Sequence, residues 1–140
     1  MAPDDHRCRA LDLLSRTAYG RVSASQRALP FTTVTRHLVV DGRLLLRLHR
    51  GHGYHPALDG SVVAYEADNV HEAGADTWSV QCTGTARLAD PGPAELARFG
   101  PAPRLADGEP YDAVHLSVEP LLVKVHRLHD APVFRYAHSV

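Results

Sequence analysis

The chain has 140 residues, 44% of them hydrophobic, ten histidines and a formal net charge of −1. That length suits one domain with a substantial core. The near-neutral balance gives no electrostatic footprint for nucleic acid or a membrane surface, and no apolar run approaches the ~20 residues of a membrane helix.

Residues 1–9 read as a disordered N-terminus, 10–130 as a single domain and 131–140 as a C-terminal tail. Leu11 and Leu14 lie three apart with Leu13 beside them, which suits a short amphipathic helix from Ala10. Gly20 ends that unit and a strand begins at Arg21. Gln26-Arg27-Ala28 makes a turn. Pro30 to Val40 is rich in β-branched residues. Asp41-Gly42 is a hairpin signal, and Arg43 to His49 is the returning strand. Gly51 to Pro56 is a loop, and Ala57 to Gly60 a turn or helix end. Val62 to Ala67 and Thr77 to Leu88 form a central strand pair. Asp90-Pro91-Gly92-Pro93 breaks the chain before a short helix, Ala94 to Phe99. Gly100 to Gly108 reads as a Pro-rich connector. His115 to Val118 and Leu121 to His126 are the last strands, interrupted at Pro120. Six or seven short strands with few helices predict a mainly β fold, a closed or partly closed barrel.

Cys8 and Cys82, the only cysteines, read as free thiols of a reducing compartment. The first residues are polar and charged, without a secretory pattern, so a cytoplasmic location is expected. The histidines are spread along the chain rather than gathered in one metal-binding tract. There is no nucleophile elbow, P-loop, zinc motif or Ser-His-Asp signature, which disfavours a hydrolase or a nucleotide-triphosphate enzyme.

Gly20-Arg21-Val22, the Asp41-Gly42 hairpin, Val62-Val63-Ala64-Tyr65-Glu66 and Trp78-Ser79-Val80…Gly84, in this order and spacing, resemble the pyridoxamine 5'-phosphate oxidase-like family. The resemblance covers roughly residues 10–128. It implies a six-stranded split β-barrel with short flanking helices, a homodimer, and a ligand cleft at the dimer interface. It also implies FMN as cofactor, with deazaflavin or haem in some relatives, and oxidoreductase chemistry on a small organic molecule. Arg47 matches the basic residue that faces the flavin phosphate. Ser79 and Gln81, two apart on one strand face, match polar contacts from the partner subunit. Thr33-Val34-Thr35-Arg36 stands where relatives carry Arg-Pro-Val-Asn beside the flavin ring, which makes Thr33 a candidate contact. The family's Gly-Ser-Lys-Leu loop is Gly51-His52-Gly53-Tyr54 here. The phosphate-binding lysine is therefore Gly53, and His49 and His52 become candidate cofactor contacts.

Each candidate has a plainer reading. Arg47 also suits an edge-strand surface. His49, His52 and His55 lie three apart, but two glycines fix no ligand geometry, so no metal site is assigned. A solvent-facing loop, a ligand contact and a haem axial ligand all remain open for them. Trp78 fits the core or a dimer seam. The altered loop motivates an alternative function: a barrel that has lost FMN and binds haem or a substrate directly. A purely structural dimer is a third reading.

Overall fold

The computed structural model describes residues 3–72, 74 and 76–129. Helix α1 (Pro3–Ser15) is followed by strands β1 (Tyr19–Gln26), β2 (Leu29–Val40) and β3 (Arg43–His49). A 3-10 turn (Arg50–His52) and helix α2 (His55–Leu58) lead to β4 (Val62–Asp68) and β5 (Thr77–Ala89). Helix α3 (Pro93–Phe99), the two-residue strands β6 (Leu105–Ala106) and β7 (Glu109–Pro110), and β8 (Ala113–Leu128) complete the fold. Six strands close into an antiparallel barrel in the order β1-β2-β3-β8-β5-β4.

Period-2 alternation sets the barrel wall. Val63, Tyr65 and Ala67 of β4 point inward, as do Trp78, Val80 and Cys82 of β5 and Leu44, Leu46 and Leu48 of β3. Helix α1 packs on this core through Ala10, Leu11, Leu13 and Leu14. Each fully buried leucine contributes about 2 kcal/mol. β3 is buried on both faces. Its outward Leu45 joins Leu38 and Phe99 in a second apolar cluster beneath α3. Trp78 is in the core, as its plainer reading had it.

A buried polar network ties α1 to the wall. His37 is 1% exposed. Its Nε2 donates to the Leu14 carbonyl at 2.8 Å, which leaves Nδ1 to accept from the Tyr65 hydroxyl. Burial lowers the His37 pKa, with help from the Arg36 charge, against the pull of the Leu14 carbonyl. Burial likewise raises that of Tyr65.

Three expectations are corrected. The first helix spans Pro3–Ser15 among the described residues rather than starting at Ala10, and its arginines and alanine are good helix formers. The last two strands are one. Pro120 pairs opposite Gly84 where the β5–β8 register shifts, so the bulge absorbs the residue that lacks an N–H. A Cβ on Gly84 would run into the Glu119 carbonyl, so only glycine lets the two backbones approach there. The connector 100–108 carries half of a small hairpin, turned by Asp107-Gly108 with both φ positive. The expected tail, 131–140, lies outside the described residues.

Candidate functional site

Arg47 lies on the outer face of β3 and is 6% exposed. One Nη donates to the Gly100 carbonyl at 3.0 Å, and Cζ sits 5.3 Å from the centre of the Phe99 ring. Its Nε is buried and has no hydrogen-bond partner. No carboxylate pairs with it among the described residues. Directly across the ladder from Arg47 stands Arg36 of β2. Arg36 also lies over Phe99, at 5.9 Å, and likewise has no carboxylate partner among the described residues. Like charges facing each other across a ladder are destabilising, and a buried unpaired charge costs several kcal/mol. An anion between the two guanidinium groups would offset both costs.

Arg47 borders a cleft of about 110 Å³. Thr33, Arg36, His49, His52 and Tyr111 also line it. Four of the six residues picked out from the sequence, Arg47, His49, His52 and Thr33, are thereby brought together. Tyr19, Arg36, Pro103 and Tyr111 were missed. Arg36 could have been found, because the Asp41-Gly42 hairpin fixes its register against Arg47. Tyr111 could not, since its approach depends on the connector after α3.

Ser79 and Gln81 are not part of this cleft. They lie on the outward face of β5, opposite His126 and Lys124, and β8 separates β5 from β3. Their cross-strand neighbours are charged or polar, Asp68 and Glu66 on β4 and His126 and Lys124 on β8, with Leu122 and Leu128 of β8 exposed farther along the same strand.

The loop histidines are held in place. His49 is buried and its Nδ1 accepts from the Asp112 N–H at 3.0 Å, so the neutral ring carries its proton on Nε2. That Nε2 sits against Gly51, 3.8 Å from the Glu109 carboxylate. A side chain at position 51 would collide with this ring, which explains the glycine. His52 Nε2 lies 2.9 Å from the Asp107 carboxylate. Tyr111 stacks on His49 with ring centres 5.2 Å apart. Burial raises the Tyr111 pKa, while the neighbouring Arg47 charge works the other way. Gly53 caps the 3-10 turn in the left-handed region, with φ 74°. Among the described residues no group of three His, Cys, Asp or Glu side chains is arranged to hold a metal ion.

The site thus offers fixed positive charge and aromatic faces. Its loop histidines are already engaged, His49 against Gly51 and His52 with Asp107. Its volume, about 110 Å³, is well below the roughly 300–1,000 Å³ of an ordinary small-molecule pocket.

Comparison with known proteins fits this architecture. The chain is 38% identical over 96 residues to the uncharacterised protein Rv0080 of Mycobacterium tuberculosis. That match covers 64% of this chain and 62% of the relative, so the chain spans less than two thirds of that protein's length. Among solved structures, an FAD-binding protein from Mycobacterium smegmatis matches with a TM-score of 0.67 at 22% identity, covering 92% of this chain and 97% of the other. An FAD- and haem-binding protein from the same organism matches with a TM-score of 0.66 at 14% identity, over 92% and 74% of the two chains. An FAD-binding protein from Mesorhizobium loti gives 0.60 at 15% identity, over 86% and 93%. At these identities the likeness is one of fold. The sequence profile of the pyridoxamine 5'-phosphate oxidase family matches residues 6–129, nearly the whole chain, and the protein belongs to that family.

Proposed function

We propose that the protein binds a flavin in the Arg47 cleft and acts as an oxidoreductase on a small organic molecule, with a second copy of the chain closing the site. The observation that carries this is Arg47: a buried guanidinium with a free Nε and no carboxylate partner among the described residues. A phosphate is the anion it suits best, since the planar fork grips two oxygens at once. Arg36 adds a second charge beside it. Thr33 and His52 line the same recess and can contribute polar contacts. A bound flavin supplies the hydride chemistry. The protein's part is to grip the phosphate, to orient the ring against the wall of β2 and β3, and to exclude water.

The small cleft and the exposed Leu122 and Leu128 support a homodimer in which a partner's Ser79 and Gln81 face the ligand. Family membership and the flavin-binding proteins that share the fold support the cofactor class. A haem reading draws less support, because His49 Nε2 is sealed against Gly51 and His52 is bonded to Asp107.

The test is the visible spectrum of the purified protein, then titration with FMN, FAD, deazaflavin and haem. A flavin band or tight flavin binding is expected, and Arg47→Gln should weaken FMN at least tenfold while leaving riboflavin nearly unchanged. A colourless protein that binds no flavin would overturn the proposal. Gly53→Lys is a poor rescue of the altered loop, because its φ of 74° strains any L side chain by about 1 kcal/mol or more.

A further inference from the structure

Between Phe99 and Val114 no residue is buried. The segment leaves α3 at Gly100, turns back on itself through the β6–β7 hairpin and returns at Asp112, just before β8. Its neck is closed by the Tyr111 N–H, which donates to the Arg104 carbonyl at 3.0 Å. The hairpin is therefore a preformed unit, and it adds no side chain to either apolar cluster. It nevertheless supplies two walls of the Arg47 cleft, Pro103 and Tyr111.

Polar contacts and one aromatic stack tie it to residues 47–52. At its near end the Gly100 carbonyl accepts from Arg47 Nη at 3.0 Å. At its far end the Arg50 N–H donates to the Asp112 carbonyl at 2.7 Å, the Asp112 N–H donates to His49 Nδ1 at 3.0 Å, and Tyr111 stacks on His49. At its tip the tie is His52 Nε2, 2.9 Å from the Asp107 carboxylate. The ends are thus held through backbone groups, and the tip through side-chain charge. A segment poor in buried apolar contacts belongs to the low-stability end of a fold. Gly100, with φ 74° where α3 ends, gives it a hinge.

We propose that residues 101–111 are a flap that opens and closes over the Arg47 cleft, latched shut by the His52–Asp107 contact when His52 is charged. The latch rests on the contacts above; the gating role rests on the flavin reading and makes it a regulated site. Histidine changes charge between about pH 5 and 8, so the latch holds at pH 6 and loosens by pH 8. Besides Asp107, His52 faces the His49 ring at 5.0 Å and the Tyr54 ring at 6.0 Å. Arg36 and Arg47 line the same cleft and oppose a further positive charge, and Tyr19 and Tyr111 are its other titratable side chains. Glu109, 3.8 Å from His49, and Asp112, 3.5 Å from Arg50, favour that charge. The Asp107 side chain is 83% exposed, and an exposed ion pair shifts an equilibrium only a few-fold, so the flap is biased rather than locked.

The experiment compares the full chain with Asp107→Asn at pH 6 and pH 8. Asparagine tolerates the φ of 51° at that position, so the turn and the melting temperature should be unchanged. NMR relaxation dispersion on the amides of residues 101–111 reads the open population. In the parent it should rise about threefold from pH 6 to pH 8, and in the variant it should stand at the higher level at both. Stopped-flow mixing with FMN should show association and dissociation both about threefold faster in the variant at pH 6, with equal rates at pH 8 and little change in Kd. An open population indifferent to pH and to Asp107 would overturn the latch. A population that shifts while the FMN rates do not would overturn the gate and leave the flavin reading intact. Binding of no flavin would remove the flavin reading and the gating role with it, a result distinct from rates that fail to move.

Discussion

Tyr65→Phe isolates the polar network inside the barrel. The hydroxyl donates to His37 Nδ1, and Thr35 Oγ1 lies 3.4 Å from it. Removing one oxygen hardly changes the volume, so the packing loss is small. What remains is a buried acceptor, His37 Nδ1, with no donor. A group left in that state costs about 1–3 kcal/mol, and about 2 kcal/mol is expected here. Unfolding entropy near 60 °C is about 2.1 cal/mol/K per residue, or about 0.3 kcal/mol/K for 140 residues, so the melting temperature should fall by about 7 °C. The assay is urea and thermal unfolding at pH 8, where His37 is neutral in both states. The urea m-value should not change, because the folded and unfolded surfaces are nearly the same. A loss below about 0.5 kcal/mol would refute the reasoning, since the hydroxyl would then not be a required partner. The coupling has a second signature. His37→Leu should cost less in the Tyr65→Phe background than alone, because both partners have gone and the Leu14 carbonyl keeps the Thr17 N–H.

Acid should destabilise the protein through His37. Its folded pKa lies below the usual 6.5, so the unfolded chain takes up the proton first as pH falls. Stability is full above about pH 7 and declines below about pH 6.5, by at most about 1.4 kcal/mol per pH unit for this group, and His37→Gln should flatten the slope of melting temperature against pH. His115, lowered by burial and by the Arg47 charge, acts in the same direction. Arg27 and Ala28 both hold positive φ, 52° and 65°, in the β1–β2 turn, so Ala28→Gly should stabilise by about 1 kcal/mol in urea unfolding; a loss of stability would contradict the turn geometry. Cys8 is exposed, while burial pushes the Cys82 thiol up to about 11. A disulfide reagent at pH 7.5 should therefore titrate one thiol per native chain and two in denaturant.

Much of the architecture was legible because local rules decided it. β-branched residues and Asp41-Gly42 place β2 and β3, and alternation gives the inward faces of β4 and β5. Arg47, Thr33, His49 and His52 could be expected near one another because they sit on those regular strands or in the adjoining turn, and they line one cleft. What was missed depended on tertiary approach. Pro120 breaks a strand by local rules, but a bulge against Gly84 on another strand accommodates it. Asp107-Gly108 is the same hairpin signal as Asp41-Gly42, yet proline on either side masks so short a ladder. Arg36 reaches the Arg98 carbonyl only because α3 folds back over β2, which no spacing in the sequence encodes.

The pairing order of the barrel bears on how the chain is made. β8 is the last strand described, and it is the one that joins β3 to β5. During synthesis β3-β2-β1-β4-β5 can form one sheet, because β1 pairs with β4, but its two edges, β3 and β5, stay open until residues 113–128 emerge. For that interval β3, buried on both faces in the finished barrel, lacks its second neighbour, the condition under which strands pair with other chains. A stall or cut shortly before Ala113 would therefore release an open five-stranded sheet prone to aggregation rather than a closed barrel. The nascent chain's most vulnerable moment comes just before its final strand is in place.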